Sequence, residues 1–170
     1  MEKRAIKYIN ITGNIGVGTT TLHKKLCEHF NWQPSNSQAH LSPYLKDFYK
    51  NKGKSAFHNQ IHIIIQSLQR QTKLDFATTI CQDYTIFEHN DVYSKVMLDF
   101  GFIQKHEFTL LTDLFETCSQ NLKRPDLLIY LHTDIDTLLK RIMHRNRAEE
   151  GNIEGKYLTK LQQRFDEFAQ

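Results

Sequence analysis

A glycine-rich turn near the start of the chain most constrains what this chain can fold into. Gly13 and Gly18 stand at the two glycine positions of the phosphate-binding pattern G-x-x-x-x-G-K-[ST], after an apolar segment and before a helical one. Such a turn directs successive backbone N–H groups toward phosphate oxygens at the N-terminus of a helix. The turn therefore predicts a phosphate site between the first strand and the first helix.

One position of this pattern differs. Thr19 stands where the pattern has lysine, so the charge that would face the β- and γ-phosphates is missing, whereas Thr20 still supplies the hydroxyl for Mg²⁺. Taken alone, a glycine turn without its lysine is a weak signal, and a turn with no phosphate role stays an alternative. Anion binding also stays open, because backbone donors need no lysine.

The rest of the chain alternates predicted strands and helices. Strands are predicted over residues 5–12, 78–84 and 127–132, with a fourth near 30–32. Helices are predicted over residues 18–30, 43–49, 55–74, 90–99, 105–121, 134–144 and 155–169. This order predicts one α/β domain over residues 1–170, in which helices flank an open parallel sheet.

Composition excludes several classes of protein. The formal charge of +3 is weak and spread along the 170 residues, which does not indicate nucleic acid binding. Cys27, Cys81 and Cys118 are far apart in sequence without paired spacing, which favours reduced thiols over a disulfide framework or a zinc site. No run is long and apolar enough to span a membrane, and the N-terminus leads into a strand. We therefore expect a cytoplasmic protein.

Motifs in order along nearly the whole chain resemble those of the deoxynucleoside kinase family. They lie at residues 13–16, 43–45, 48–49, 83, 85–88, 125–131, 141–150, 153 and 157–158. The resemblance implies a P-loop kinase-like sheet that lacks the family's last strand, and a homodimer. It also implies transfer of the γ-phosphate of ATP to the 5′-hydroxyl of a deoxynucleoside in nucleotide salvage.

The resemblance also assigns roles to the residues that would hold ATP with Mg²⁺. The expected cofactor-binding residues are Gly13, Asn14, Ile15, Gly16, Val17, Gly18, Thr19, Thr20 and Thr21, with Thr20 and Asp83 on the metal. The lid arginines of the family are matched by Arg141, Arg145 and Arg147.

Other family positions have changed. The catalytic base is matched by Gln33, before Pro34, and the arginine after Asp83 by Tyr84. On the nucleoside side, the matching positions are Gln33, Phe57, His58, Tyr84, Phe87 and His89. An amide cannot act as the base near neutral pH, although it still accepts hydrogen bonds.

Simpler interpretations stay open for several of these residues. The three lid arginines also suit a solvated helix end, and a strand-end aspartate such as Asp83 also suits a loop cap. His58 and His62 are one helical turn apart, but they lack an acidic or cysteine partner in the sequence, which favours a structural role over a metal site.

Two functional hypotheses follow. The first is a divergent salvage kinase with weak or altered activity. The second is a non-catalytic pseudokinase that keeps the fold, with nucleotide affinity used in regulation or assembly. The chemistry favours the second, because losing one phosphate-clamping cation costs roughly 10³-fold in rate.

Overall fold

Four parallel strands form the sheet in the part of the chain that the structure describes, in the order β2-β3-β1-β4. The computed structural model describes residues 6–147, 150 and 153–170. The strands are β1 (Tyr8–Gly13), β2 (Gln33–Ser35), β3 (Ile80–Asp83) and β4 (Leu127–Leu131). In this register Ile11 of β1 lies opposite both Asp83 and Ile129. The predicted open parallel sheet is confirmed.

Helices follow the strands and flank the sheet. They are α1 (Thr19–Phe30), α2 (Leu45–Lys50), α3 (Lys52–Gln71), α4 (Ile86–Glu88), α5 (Lys95–Asp99), α6 (Lys105–Ser119), α7 (Ile135–Arg145) and α8 (Gly155–Phe168). As predicted, Asp134 caps α7, and its carboxylate accepts the backbone N–H of Thr137 at 2.8 Å. In the described residues, no helix is both long and apolar enough to cross a membrane.

Strand β1 is buried along its whole length, as is typical of a central parallel strand. Ile9 and Ile11 point to one face, where they join Cys27 of α1 and Cys81 of β3 in a small apolar cluster. The larger cluster has members from α2 through α8 and includes Leu111, Leu138, Leu161 and Phe165. The sheet thus holds α1 against one cluster and the remaining helices around the other.

Two predicted elements were misplaced. The fourth strand lies at Gln33–Ser35 rather than near 30–32, because Asn31 takes a left-handed conformation (φ 53°) that ends α1. The helix predicted over 90–99 begins earlier, at Ile86, where the Thr85 hydroxyl accepts the N–H of Phe87. It passes through a π-helical stretch, His89–Ser94, before α5.

Candidate functional site

The loop from Gly13 to Gly18 joins β1 to α1 and has the backbone of an anion-binding turn. Gly13, Gly16 and Gly18 have φ angles of 155°, 87° and 108°, which side chains rarely adopt. A Cβ on Gly13 would lie 2.5 Å from the carbonyl oxygen of Leu131 on β4, so only glycine allows these strand ends to approach. Thr19 begins α1, so the loop and the helix N-terminus share one opening.

Hydrogen bonds to distant helices hold this loop. The Asn14 amide donates to the carbonyl oxygen of Leu158 in α8 at 2.8 Å, and its own oxygen accepts the N–H of Ile15 at 2.9 Å. Arg141 of α7 donates through Nη1 to the carbonyl oxygen of Val17 at 2.8 Å. Arg141 therefore brings its positive charge to the loop that lacks the motif lysine.

Thr20 and Asp83 meet at the mouth of the loop. The Thr20 hydroxyl donates to Oδ2 of Asp83 at 2.8 Å. Asp83 is 3% exposed, and its Oδ1 has no hydrogen-bond partner among the described residues. An unpaired carboxylate oxygen beside a hydroxyl suits Mg²⁺, which prefers oxygen ligands and is held by one or two carboxylates plus phosphates. The residues present thus fit the metal that the sequence predicts.

Tyr84 and Arg70 fix the end of β3. Tyr84 has a left-handed backbone (φ 55°), and its hydroxyl donates to the carbonyl oxygen of Gly13 at 2.6 Å. Arg70 of α3 donates to the carbonyl oxygens of Asp83 (3.4 Å) and Tyr84 (2.5 Å). Burial raises the pKa of Tyr84, so its hydroxyl stays a neutral donor. Tyr84 therefore serves as a clamp between β3 and the loop, and no local sequence pattern marks Arg70.

His89 is buried beside this group. Its ring lies 5.7 Å from the ring of Tyr93, and its Nε2 finds no partner within the described residues. Burial, and after it the positive charge of Arg70, lowers the pKa of His89 to about 3. At neutral pH His89 is therefore an uncharged hydrogen-bonding group.

The lid side of the site is positively charged. Arg145 donates through Nε to Oε2 of Glu150 at 2.6 Å, and Nη1 of Arg147 lies 3.5 Å from Oε1. One carboxylate thus faces two guanidinium groups, which leaves a net positive charge at this edge. The neighbouring Glu149, part of the same sequence motif, lies outside the described residues.

These groups surround one cleft of about 1270 Å³, which exceeds the usual volume of a small-molecule site. The cleft brings together most of the residues predicted from the sequence. They are Ile15, Gly16, Val17, Gly18, Thr19, Thr20, Thr21, Asp83, Tyr84, His89, Arg141, Arg145 and Arg147.

The family model for deoxynucleoside kinases matches residues 9–170. This chain belongs to the deoxynucleoside kinase family. The deoxyadenosine/deoxycytidine kinase of Bacillus subtilis is 30% identical over 161 residues, which cover 93% of this chain and 74% of that protein. The deoxyadenosine kinase of Dictyostelium discoideum is 32% identical, over the whole of this chain and 70% of its own length.

Solved structures of the deoxyadenosine kinase from M. mycoides share the fold. The structure with bound dCTP has a TM-score of 0.85 and 24% identity, covering 94% of this chain and 82% of that one. The structure with bound dATP has a TM-score of 0.82 and 25% identity, covering 95% of this chain and 84% of that one. The parallel sheet with its flanking helices is thus the fold of this family.

Gln33, predicted at the position of the family's base, does not line the cleft. It lies exposed on the edge strand β2, and its side-chain oxygen accepts the Thr78 hydroxyl at 2.9 Å. Parallel strands bring ligands to their carboxyl ends, and the residues after β2 that line the cleft are Asn36, Ser37, Ala39 and His40. None of these four side chains is a carboxylate.

Carboxylates are few around the cleft of this family member. Among its described lining residues they are Asp83 and Glu28. The Glu28 side chain is 64% exposed, and its Oε1 lies 3.9 Å from Nζ of Lys24 on the preceding turn of α1. Asp83 is therefore the buried acid of the site.

Phe57, His58 and Phe87, predicted on the nucleoside side, also lie outside the cleft lining. His58 is exposed, with its ring 5.9 Å from that of Tyr44, and Phe87 is buried in the larger apolar cluster. Gln60 of α3 lines the cleft instead; it is 2% exposed, and no described residue pairs with its Oε1. Successive helix residues turn by about 100°, so His58 and Gln60 face opposite ways, and only a known helix orientation distinguishes them.

Proposed function

We propose that this chain binds a nucleoside triphosphate with Mg²⁺ at its phosphate loop and phosphorylates deoxynucleosides slowly. The observation that carries this proposal is the hydrogen bond from Thr20 to Oδ2 of Asp83, whose Oδ1 has no partner among the described residues. This pair lies beside a loop that keeps its glycines at positive φ. The backbone donors of the loop and the N-terminus of α1 would hold the phosphates. Thr20 and Asp83 would hold Mg²⁺, which neutralises phosphate charge when bound.

The lid arginines supply the remaining positive charge. Arg141 is anchored on the loop itself, whereas Arg145 and Arg147 share Glu150 and can turn toward a ligand. Phosphoryl transfer depends mainly on positioning and on cations near the transferred group. Three arginines thus favour nucleotide binding even without the motif lysine.

The acceptor site would lie deeper in the cleft, between α3 and the end of β3. Gln60 and His89 each present a buried polar atom without a partner in the described chain. An amide and a neutral imidazole can both hydrogen-bond the edge of a base, and neither introduces a charge. The names of the relatives, which are deoxyadenosine and deoxycytidine kinases, support a deoxynucleoside as the acceptor.

Slow transfer follows from what the cleft lacks in its described part. The carboxyl end of β2 offers Asn36 and Ser37 to the cleft, and neither side chain is an acid. Asp83 is the buried carboxylate of the described cleft lining, so in this proposal it serves both Mg²⁺ and the acceptor hydroxyl. Losing a phosphate-clamping cation costs roughly 10³-fold in rate, and losing the base adds to that loss.

A second candidate is a pseudokinase that binds nucleotide without turnover, used in regulation or assembly. The bond from Tyr84 to the carbonyl oxygen of Gly13 favours this candidate. It places a neutral clamp at the position where the family resemblance expects an arginine. The site would then keep its shape while lacking a charge that acts in catalysis.

Calorimetric titration with Mg·ATP tests the proposal, with Thr19→Lys as the informative variant. Thr19 lines the cleft, so a lysine there adds the missing charge, and we expect nucleotide affinity to rise by about tenfold. Thr109→Lys is the control, because it adds the same charge on the exposed face of α6. Absence of ATP binding by either variant and by the unmodified chain, with circular dichroism unchanged, would contradict the proposal.

A turnover assay separates the two candidates. Deoxynucleoside phosphorylation is measured with radiolabelled ATP for the unmodified chain and for Thr19→Lys. Slow turnover that increases in the variant supports the kinase. Nucleotide binding without turnover in either protein supports the pseudokinase.

A further inference from the structure

We infer that His23, Cys27 and Cys81 form a zinc-binding site beneath the phosphate loop. One nitrogen and two sulfur donors lie within 4.8 Å of one another, and all three residues are buried. Sequence spacing favoured reduced thiols over a zinc site, because Cys27 and Cys81 lie far apart along the chain and only the fold brings them together. The proposal does not depend on the proposed kinase function.

The spacing of the donor atoms is compatible with a tetrahedral zinc site. His23 and Cys27 are four residues apart on α1 and therefore share one face of the helix. The Sγ of Cys27 lies 3.7 Å from Nε2 of His23. Zn–S bonds of about 2.3 Å and Zn–N bonds of about 2.0 Å at the tetrahedral angle require a separation of about 3.5 Å. One ligand pair therefore already has the required spacing.

The third donor comes from a rigid element. Cys81 lies on β3, which pairs with β1 on one side and with β2 on the other. Nε2 of His23 also lies 2.9 Å from the carbonyl oxygen of Cys81, so helix and strand are already in contact at this point. A bound ion would replace that hydrogen bond and leave the backbone in place.

The apolar surroundings and the thiolate donors both favour Zn²⁺ at this site. Apolar side chains of the smaller cluster, including Ile9, Ile11 and Leu26, surround the two cysteines. Two thiolates and one neutral imidazole around Zn²⁺ give a complex without net charge, which suits an apolar site. Thiolate ligands also select zinc against Mg²⁺, which prefers oxygen.

The site has a route for entry and a fourth coordination position. His23 and Cys27 both line the main cleft, so an ion or a water molecule can reach them from there. Three protein ligands with one open position form a recognised class of zinc site. Because α1 follows the phosphate loop and β3 ends at Asp83, zinc would join the two elements that bear the proposed nucleotide ligands.

Cobalt(II) titration of the purified, chemically reduced chain tests this proposal. Co²⁺ in a site with two thiolates gives a strong sulfur-to-metal charge-transfer band and the visible bands of tetrahedral coordination. We expect these bands to saturate at one equivalent and to disappear when Zn²⁺ is added. Saturation without charge-transfer bands, or no binding, would overturn the inference.

Variants identify the ligands. Cys27→Ser should remove the charge-transfer band or weaken it by half, and His23→Gln should lower Co²⁺ affinity by at least about tenfold. Cys118→Ser is the matched control, because this half-buried thiol on α6 lies outside the group. Loss of the band in the control, or an unchanged band in Cys27→Ser, would refute the assignment.

A second measurement covers variants that fail to fold. X-ray absorption at the zinc edge of the unmodified, zinc-loaded chain counts ligands directly. Two sulfur neighbours and at least one nitrogen neighbour support the site. A shell of oxygen and nitrogen without sulfur overturns it.

Discussion

The phosphate loop and the carboxyl end of β3 face the same cleft, but the loop presents backbone groups to it whereas the end of β3 presents side chains. The loop depends on backbone geometry, with three glycines at positive φ and a helix N-terminus behind them. The end of β3 depends on side chains, namely Asp83, Tyr84 and His89. The family resemblance finds the loop glycines in place, while two of the three side chains after β3 differ.

The half of the site that is built from backbone groups tolerates substitution better than the half built from side chains. Backbone donors survive any change that keeps the glycines, so losing the motif lysine removes charge without removing the cradle. A side-chain site changes its chemistry with each substitution. Tyr84 shows this, because its hydroxyl now holds the loop where a guanidinium would have carried charge. We therefore expect the loop to keep its anion-binding geometry after most substitutions outside the glycines, whereas each substitution at the end of β3 should change the chemistry of the site.

Gly13→Ala should have the largest effect, because it disturbs the backbone of the phosphate loop. Its Cβ would lie 2.5 Å from the carbonyl oxygen of Leu131 and 2.8 Å from Cγ1 of Val17, at a φ of 155°. We expect about 2 to 4 kcal/mol of lost unfolding free energy and loss of nucleotide binding. Urea denaturation measures the first, with Gly53→Ala as control because nothing lies within 4 Å of its added Cβ. Equal stability of the two variants would show that the loop does not need glycine here.

Asp83→Asn should have the next largest effect, on the side-chain half. The amide oxygen can still accept the Thr20 hydroxyl, but the negative charge for Mg²⁺ is lost. We expect Mg²⁺-dependent nucleotide binding to fall by at least about tenfold, while binding in EDTA stays unchanged. Calorimetry with and without Mg²⁺ measures this, and Glu28→Gln, which removes the exposed acid of the cleft, serves as control. An identical loss in EDTA would mean that Asp83 does not act through the metal.

His89→Gln should change how stability depends on pH. The folded pKa of about 3 lies below the ordinary value of 6.5, so the unfolded chain binds the proton first as the pH falls. The stability due to neutral His89 is thus present above pH 6.5 and is lost toward pH 3. Between about pH 7 and pH 5 the unmodified chain should lose roughly 1 to 2 kcal/mol more than the variant. Denaturation curves at both pH values measure this, and parallel curves would contradict the buried neutral state.

Tyr84→Phe should have the smallest effect, and it tests the connection between the two halves. The ring contacts with Tyr93 and Phe165 remain, whereas the 2.6 Å bond to Gly13 is lost. We expect about 1 kcal/mol of destabilisation, because a carbonyl oxygen loses its partner. Thermal unfolding measures this, with Tyr44→Phe as control because that ring is exposed. No difference between the variants would mean that the loop does not need the clamp.

The sequence predicted the parts of this molecule that have a local signature. The glycine pattern identified the loop, and an apolar segment ending in Asp83 predicted a strand that brings this residue to the cleft. Strand β2 was misplaced because it is a three-residue edge strand containing Pro34, with none of the alternation that marks longer strands. Short strands of this kind are defined by their neighbour, here β3, rather than by their own residues.

The orientation of helices and the contacts between residues distant in sequence had no such local signature. Gln60 lines the cleft and His58 does not. The rotation of α3 about its axis decides this, and that rotation depends on tertiary packing. Arg70 meets Tyr84 across 14 residues, and Cys81 meets His23 across 58. Residue spacing along the chain contains no information on such contacts, so the fold must be known before they can be identified.

The bond between Asn14 and Leu158 has a consequence for how the molecule forms. It connects residues 144 positions apart, so the phosphate loop is held from the far end of the described chain. Closing such a contact requires most of the chain to be ordered first, and contacts of long sequence separation form slowly. We therefore expect the loop, although synthesised early, to be among the last parts to reach its final conformation. During synthesis, a chain that has not yet released α8 from the ribosome would have its strand β1 but no finished loop.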